Sequence, residues 1–329
     1  MRIAIIGAGI SGLYVAKGLA ERNHQVIVYE KNKEPGDKVC SGLFSNNILD
    51  LVPESRSLIE NRINYTLVHF PKKTVRIDFS REFLAMDHSK LDKIVCEKAK
   101  EEGVEIKFGS EINSPYFIKC PNTSGDFDKV IGCEGADSFT RKTLNLPSPK
   151  LRLGILGFVE KPCSDDFVEA WPCSKGFIWK IPRGKRIEYG IIAEPGKAKK
   201  TLDNFLQKKG IALKNLSAKT IAQGLIIPSE KNITLCGEAA GLTKPWTGGG
   251  VIWSLTAANF LFESFPDFLD YKARTESFFA WRITLGKIAE KMFRFLGFHL
   301  PWFLPKKLNL ESDFLIIKRR GRGEQHSSK

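Results

Sequence analysis

The first thirty residues leave the chain few choices of fold. Residues 2–6, "RIAII", form an apolar β-branched run, and Gly7-Ala8-Gly9-Ile10-Ser11-Gly12 follows at once. "LYVAKGLAERN" then puts Leu13, Ala16 and Leu19 on one helical face, and "QVIVYE" is a second apolar run ending in Glu30. Strand, glycine turn, helix and strand in this order make a βαβ unit. Gly7 permits the tight turn, Gly9 lets backbone approach a pyrophosphate, and Gly12 lets the helix close on the strand. The helix amino terminus attracts phosphate. Glu30 stands where an acid accepts a ribose 2′-hydroxyl, and an acid there disfavours a 2′-phosphate.

The unit alone does not separate NAD from FAD, since both present an adenosine diphosphate. Two later stretches bear on it. "FDKVIGCEGADSFTRK" (127–142) is a short strand, a glycine turn and a helix start, and "NITLCGEAAGL" (232–242) is another strand delivering Gly237 and Glu238 to a helix. Beyond it lies "TKPWTGGGV", with Gly248, Gly249 and Gly250 directly before the helical "VIWSLTAANFLF". Such bare backbone at a helix start suits close approach of a flat, anion-forming ring.

Three strand-to-glycine junctions in this order resemble the glutathione-reductase-type flavoproteins, the p-hydroxybenzoate hydroxylase branch in particular. Within that branch the chain resembles the geranylgeranyl reductase family, the archaeal digeranylgeranylglycerophospholipid reductases above all, over roughly residues 1–275. Members read G-D-A-A-G-x-x-x-P-x-T-G-x-G-I where this chain has "GEAAGLTKPWTGGGV", and Y-x-W-x-F-P where it has Phe177-Ile178-Trp179-Lys180-Ile181-Pro182. They carry a cysteine in a glycine-containing loop, matched by "KVCSGLFS" with Cys40 and Gly42. Glu134 and Glu238 replace the usual aspartates of the second and third junctions, and His88 in "MDHSKLD" stands where relatives have arginine. As a lone histidine, His88 reads as a solvated or structural residue.

The resemblance implies an α/β fold with a glutathione-reductase-type, Rossmann-like FAD-binding domain, a β-sheet substrate domain and a carboxyl-terminal helical tail. The FAD-binding domain would comprise 1–62, 81–150 and 222–265, the substrate domain 63–80 and 151–221, and the tail 266–329. FAD would be held by Gly7, Gly9, Gly12, Glu30, Cys40, Gly42, Glu134, Gly135, Glu238, Gly248, Gly249 and Gly250. Phe177, Trp179, Pro182, Trp246 and Trp253 would line an apolar pocket for an isoprenoid chain, while Phe167 and Trp171 read as ordinary sheet core. The implied reaction is FAD-dependent reduction of isoprenoid carbon–carbon double bonds in prenyl lipids: hydride to one alkene carbon, a proton to the other, Cys40 being the candidate catalytic residue. As a small half-apolar side chain beside a flavin, Cys40 equally suits a packing role. No second dinucleotide fingerprint is visible, so NAD(P)H would bind transiently or a ferredoxin would donate electrons. Competing readings are a flavin monooxygenase or halogenase, since "FIWKIP" also resembles the halogenase W-x-W-x-I-P, a membrane-associated dehydrogenase passing electrons to quinone, and a lipid-binding module without turnover.

Composition limits the setting. Seven scattered cysteines without a C-x-x-C pair argue against a disulfide framework and a metal site, and for a reducing compartment. The first strand begins at Arg2 and no run of 18 charge-free apolar residues exists, so the chain reads as cytoplasmic, without a spanning helix. The net charge of +14 is unusual, and residues 283–329 hold ten Lys/Arg against four acids, +6 of it. Residues 283–298 read as a helix with Ile283, Ile288, Met292, Phe293, Phe295 and Leu296 apolar. That pattern suits docking on an anionic membrane surface, with Phe293, Leu296 and Trp302 inserting. No nucleic-acid module is recognisable. The terminal "GRGEQHSSK" reads as disordered.

Overall fold

The computed structural model describes residues 1–36, 40–114, 117, 127–173, 175–311 and 313–314. The basic stretch beyond 314, with "GRGEQHSSK", lies outside them.

Strands β1 (Arg2–Ile6) and β2 (Gln25–Glu30), joined by helix α1 (Ile10–Ala20), nucleate the first sheet. β1 pairs parallel with β2, Ala4 against Ile27. Ile3 and Ile5 enter the core on one face of the sheet, while Ala4 and Ile6 pack into a second cluster on the other. A strand covered on both faces has to be apolar at every position, which is why "RIAII" shows no alternation. Three further described strands join this sheet from later in the chain, and two of them, 129–132 and 233–235, each bring a glycine junction to the edge where α1 begins. Its order is 233–235, 129–132, β1, β2, 105–108, all parallel.

The second sheet is larger and mostly antiparallel. Strand β3 (Leu43–Ser45) pairs with the hairpin β4 (Ile59–Phe70) and β5 (Lys73–Met86), wider than the 63–80 read from the sequence. After β5, helix α2 (His88–Glu101) packs on α1, its cap Asp87 accepting from the Ser89 and Lys90 N–H groups. Strand β6 (Glu105–Phe108) and strand β7 (Lys129–Gly132) belong to the first sheet. The second resumes with β8 (Lys150–Val159), β9 (Phe167–Cys173), β10 (Gly176–Pro182) and β11 (Ile187–Ala193). Helix α3 (Pro195–Lys209) presses Ala198, Leu202 and Leu206 onto Ile155, Ile178 and Ile191, and β12 (Lys214–Gln223) closes the far edge. Strand β13 (Ile233–Leu235) returns to the first sheet.

Helices α4 (Val251–Ser264) and α5 (Phe268–His299) follow. α5 is one helix, longer than the 283–298 expected. Its first half buries Phe268, Tyr271, Phe279 and Ile283. Farther on, Gly286 lies against the Trp246 ring, where an added Cβ would come within 2.3 Å. Phe293 and Leu296 turn inward and pack beside Phe70, at the tip of the β4–β5 hairpin, with the Phe70 and Phe293 rings 5.3 Å apart. Strand β14 (Lys307–Leu310) then adds in parallel to β5. Residues 283–311 and 313–314 are part of the folded body. Among the described residues no helix is long and apolar enough to cross a membrane.

Candidate functional site

At the first junction Gly7 has φ +103° and donates its N–H to the Tyr29 carbonyl at 2.7 Å. A Cβ here would meet the Cys133 carbonyl oxygen at 2.6 Å, and one at Gly12 would meet the Gly7 oxygen at 2.0 Å, so both positions require glycine. Gly9 caps α1 with no side-chain hydrogen bond and no acid in the first turn. The helix therefore presents its opening N–H groups and positive end to an anion. The Glu30 carboxylate accepts from the Ala8 N–H at 2.7 Å and from Asn32 N–H at 2.9 Å, which fixes it beside the glycine turn. A carboxylate has about four acceptor sites, so two remain for a diol.

The second and third junctions lie next to the first because β13, β7 and β1 are neighbours in the sheet. Glu134 turns back on its own chain: it accepts from Ser138 Oγ at 2.9 Å and from the Thr140 N–H and hydroxyl, each at 2.7 Å, capping the short helix Phe139–Thr143. Glu238 receives Lys219 Nζ at 2.9 Å and the Ala222 N–H at 3.2 Å. It lies close enough to Gly135 that a Cβ there would stand 3.7 Å from its carboxylate. Buried Arg141 binds the Ala136 and Ala239 carbonyls and so ties the two junctions together. The loop after the third junction folds on itself, Lys244 N–H to Gly249 O at 2.9 Å and Gly248 N–H to Lys244 O at 2.8 Å. Gly250, again without a side-chain cap, starts α4.

Beneath these junctions the second sheet brings together a set of ionisable groups. Cys40 is half-buried, with its Sγ 3.4 Å from the Gly42 N–H. Burial opposes ionisation of its thiol, but the neighbouring His88 charge and hydrogen bond, the Gly42 N–H and Lys219 outweigh it and bring the thiol down to about 7. Burial likewise opposes the His88 imidazolium, yet Cys40 and Asp92 raise it to about 10. His88 Nε2 lies 3.3 Å from Asp92 Oδ1, one helical turn along α2. His88 is thus shielded from solvent between Cys40 and Asp92, and these two groups hold its charge in place of water. Next to Cys40, Arg183 donates to Glu60, Glu188 and the Met86 carbonyl, at 2.7, 3.0 and 2.8 Å. Burial pushes the Glu188 carboxyl up to about 8, partly offset by Arg183 and by the Trp179 indole N–H, which it accepts at 2.8 Å.

The proposed pocket residues divide. Trp179 lies flat over Gly190, where a Cβ would touch its ring at 2.3 Å, and Phe177 is 6.0 Å from it. Pro182 ends β10 beside Arg183. Trp246 is half-buried under α5, whereas Trp253 is fully buried and donates its indole N–H to the Asp313 carbonyl at 2.7 Å. Phe167 stacks on Tyr65 and Trp171 on His69, away from the junctions.

This arrangement fits FAD by its own chemistry: a glycine cradle closed to any Cβ, two uncapped helix starts and an acid with acceptor sites to spare. Residues 5–53 match the family model described as an NAD(P)-binding Rossmann-like domain. The chain is 22% identical over 301 residues, 78% of its length and 75% of the relative's, to a digeranylgeranylglycerophospholipid reductase of Methanothrix thermoacetophila. A geranylgeranyl bacteriochlorophyll reductase-like protein of Thermoplasma acidophilum has the same fold, with TM-score 0.70, 18% identity, and coverage of 89% of this chain and 83% of that one. The chain is similar to proteins named as geranylgeranyl-lipid reductases in sequence and in fold. Its fold is that of FAD-dependent oxidoreductases at large, since the flavin-dependent brominase Bmp2 also matches with TM-score 0.70 at 14% identity, covering 92% and 89%.

The sequence reading takes His88 as a solvated or structural residue, whereas it is buried beside Cys40, and it passes over Asp92, Arg183 and Glu188. His88 and Asp92 are spaced i, i+4 in "HSKLD", a visible helical pairing, though nothing local ties them to Cys40. Glu188 and Arg183 face Cys40 only once β10 and β11 have paired.

Proposed function

We propose that this protein reduces carbon–carbon double bonds of prenyl lipids with FAD, at the cytoplasmic face of a membrane, drawing electrons from transiently bound NAD(P)H or a ferredoxin. The observation that carries this reading is the joining of a three-junction glycine cradle to a cluster able to hold a proton near neutrality. FAD would supply the hydride for one alkene carbon. Gly7, Gly9, Gly12 and Glu30 would hold its adenosine diphosphate end, and Gly248–Gly250 its flavin end. An isolated alkene is poorly polarised, so alignment and exclusion of water supply much of the catalysis. The second sheet, with Phe177 and Trp179, excludes water on the substrate side. Cys40, at about 7, and Glu188, at about 8, each hold a proton that is transferable at physiological pH. His88 and Arg183 stabilise their anions once that proton has left, and Asp92 positions His88.

The test is turnover with a chemical reductant as donor and a geranylgeranyl-chain phospholipid as substrate, read by mass spectrometry of the lipid. Hydrogen gain at the chain supports the reading, and an unchanged lipid with FAD-replete protein sinks it. The likeness to a brominase favours one second reading, an oxygen-dependent monooxygenase or halogenase. That reading predicts a substituted product only when oxygen is present.

A further inference from the structure

Large apolar side chains left in solvent are concentrated in one place. Trp281, Leu285, Ile288, Met292 and Phe295 are exposed along the outer side of α5, and Phe298, Trp302 and Phe303 extend the row past the helix end. The spacing from 281 to 295 alternates four and three residues, a single stripe opposite the one that buries Ile283, Gly286 and Gly297. At ~1.5 Å per residue the helical part alone is roughly 20 Å long. Met292 is 60% exposed, Trp302 67% and Phe303 68%. Monomeric soluble proteins rarely leave such a contiguous apolar face uncovered.

Charge identifies what covers it. Between 281 and 307 stand six Lys/Arg and one acid, and that acid, Glu290, is half-buried on the opposite side. Exposed Lys287 and Lys291 flank the stripe and exposed Lys306 follows Trp302–Phe303. A second copy of the chain would set these lysines against their own kind. An anionic lipid surface pairs with them and takes up the apolar row, while Trp281 and Trp302 near its two ends suit the boundary between headgroup and chain.

We propose that the outer face of α5 from Trp281 to Phe298, with the Trp302–Phe303 turn, lies in the interfacial layer of an anionic bilayer. This rests on the prenyl-lipid reading for the purpose of docking, not for its existence. Through Gly286 the same helix touches Trp246 of the glycine loop, so one helix separates the bilayer from the site. The inserting residues differ from those expected in the sequence: Phe293 and Leu296 are turned inward, and Ile288, Met292 and Phe295 take their place.

Full-length protein is mixed with vesicles of equal parts phosphatidylglycerol and phosphatidylcholine carrying saturated, branched diphytanoyl chains, which offer nothing to reduce. The protein should pellet with them at low salt with a blue-shifted tryptophan emission, and salt should lower binding to the level seen on pure phosphatidylcholine. Met292→Glu/Phe295→Glu should weaken binding about 100-fold, roughly tenfold per side chain kept from the lipid, with an unchanged melting transition because both positions are exposed. Lys287→Glu/Lys291→Glu should flatten the salt dependence. No pelleting at low salt, or equal pelleting of wild type and Met292→Glu/Phe295→Glu, overturns the proposal. It is equally overturned if wild type ignores vesicles but sediments as a dimer that the double variant converts to monomer. None of these outcomes touches reduction of a short, water-soluble prenyl alcohol, which tests the enzymatic reading by itself.

Discussion

The glycine turn after β1 and the Cys40–His88 cluster are built in opposite ways. The turn is mostly local: Gly7, Gly9, Gly12 and Glu30 lie within thirty residues and hydrogen-bond among near neighbours, with Cys133 the one distant contact at Gly7. The cluster draws Cys40, His88, Arg183, Glu188 and Lys219 from five segments, and its charges are held by one another in place of water. A local device fails as a whole when its geometry is broken. A dispersed one shifts its protonation while the fold survives, and that difference can be measured.

Gly9→Val should have the largest effect, complete loss of FAD on purification from a folded protein, read from the flavin absorbance. A fully yellow Gly9→Val protein would remove the phosphate turn from the account. Gly7→Ala breaks the same turn from the other side. Its φ of +103° and the contact with Cys133 should cost about 3–5 kcal/mol in chemical denaturation, strain and overpacking together.

A second dispersed cluster sits on the far side of the glycine loop and should answer by stability alone. Asp313, fully buried, accepts from Lys244 Nζ and Asn47 Nδ2, both at 2.8 Å, and from Ser45 Oγ. Asp313→Ala strands the buried Lys244 ammonium and should cost about 3–5 kcal/mol. Truncation after Arg282 should for the same reason unfold the protein, and a stable truncated protein would show that the tail is no part of the core.

His88→Gln should raise the Cys40 thiol from about 7 toward its ordinary 9.0. The thiolate fraction at pH 7 would then fall roughly 50-fold, measured as the rate of iodoacetamide alkylation at Cys40 in FAD-free protein. The sign in stability follows. The depressed Cys40 value contributes fully above about 9 and is lost as pH falls through about 7. The raised His88 value contributes fully below about 6.5 and is lost as pH rises through about 10. Between about 7 and 9 the two contributions change in opposite senses and cancel, so the wild type should hold a plateau in melting temperature and then lose stability as pH rises from about 9 through 10, a fall that His88→Gln lacks. Identical alkylation profiles in the two proteins would dissolve the pairing.

The smallest effect belongs to Trp179→Phe. It withdraws one N–H from the buried Glu188 carboxyl and should cost about 1–3 kcal/mol, leaving FAD content unchanged. Loss of FAD in that variant would place Trp179 in the cofactor site and not over it.

What was legible in the sequence follows the same division. β1, α1 and β2 could be read because a βαβ unit writes its period, turn and cap into neighbouring residues. The other two junctions were visible for the same reason, as strands running into glycine. The extent of the β4–β5 hairpin was not, since its ends are set by pairing with β3 and β9. The tail was half legible: apolar spacing marked a helix, but Phe293 and Leu296 were assigned outward because their partner, Phe70, lies more than two hundred residues away. Asp313 is one acid in a basic stretch, and its meaning depends on Ser45, Asn47 and Lys244. Glu134 and Glu238 were visible as acids at strand ends. Their engagement with Thr140 and Lys219 depended on a helix cap and a strand edge that spacing alone does not report.

The central claim, that the cleft carries out a reduction of prenyl double bonds, is tested most directly by a single anaerobic turnover. Purified FAD-loaded protein is reduced to completion, excess reductant is removed, and geranylgeranyl phospholipid is added without oxygen while the flavin absorbance and the lipid mass are followed together. The account predicts return of the oxidised flavin spectrum with a matching gain of a hydrogen pair on the lipid. A flavin that stays reduced with the lipid and reoxidises only on admission of air would contradict it.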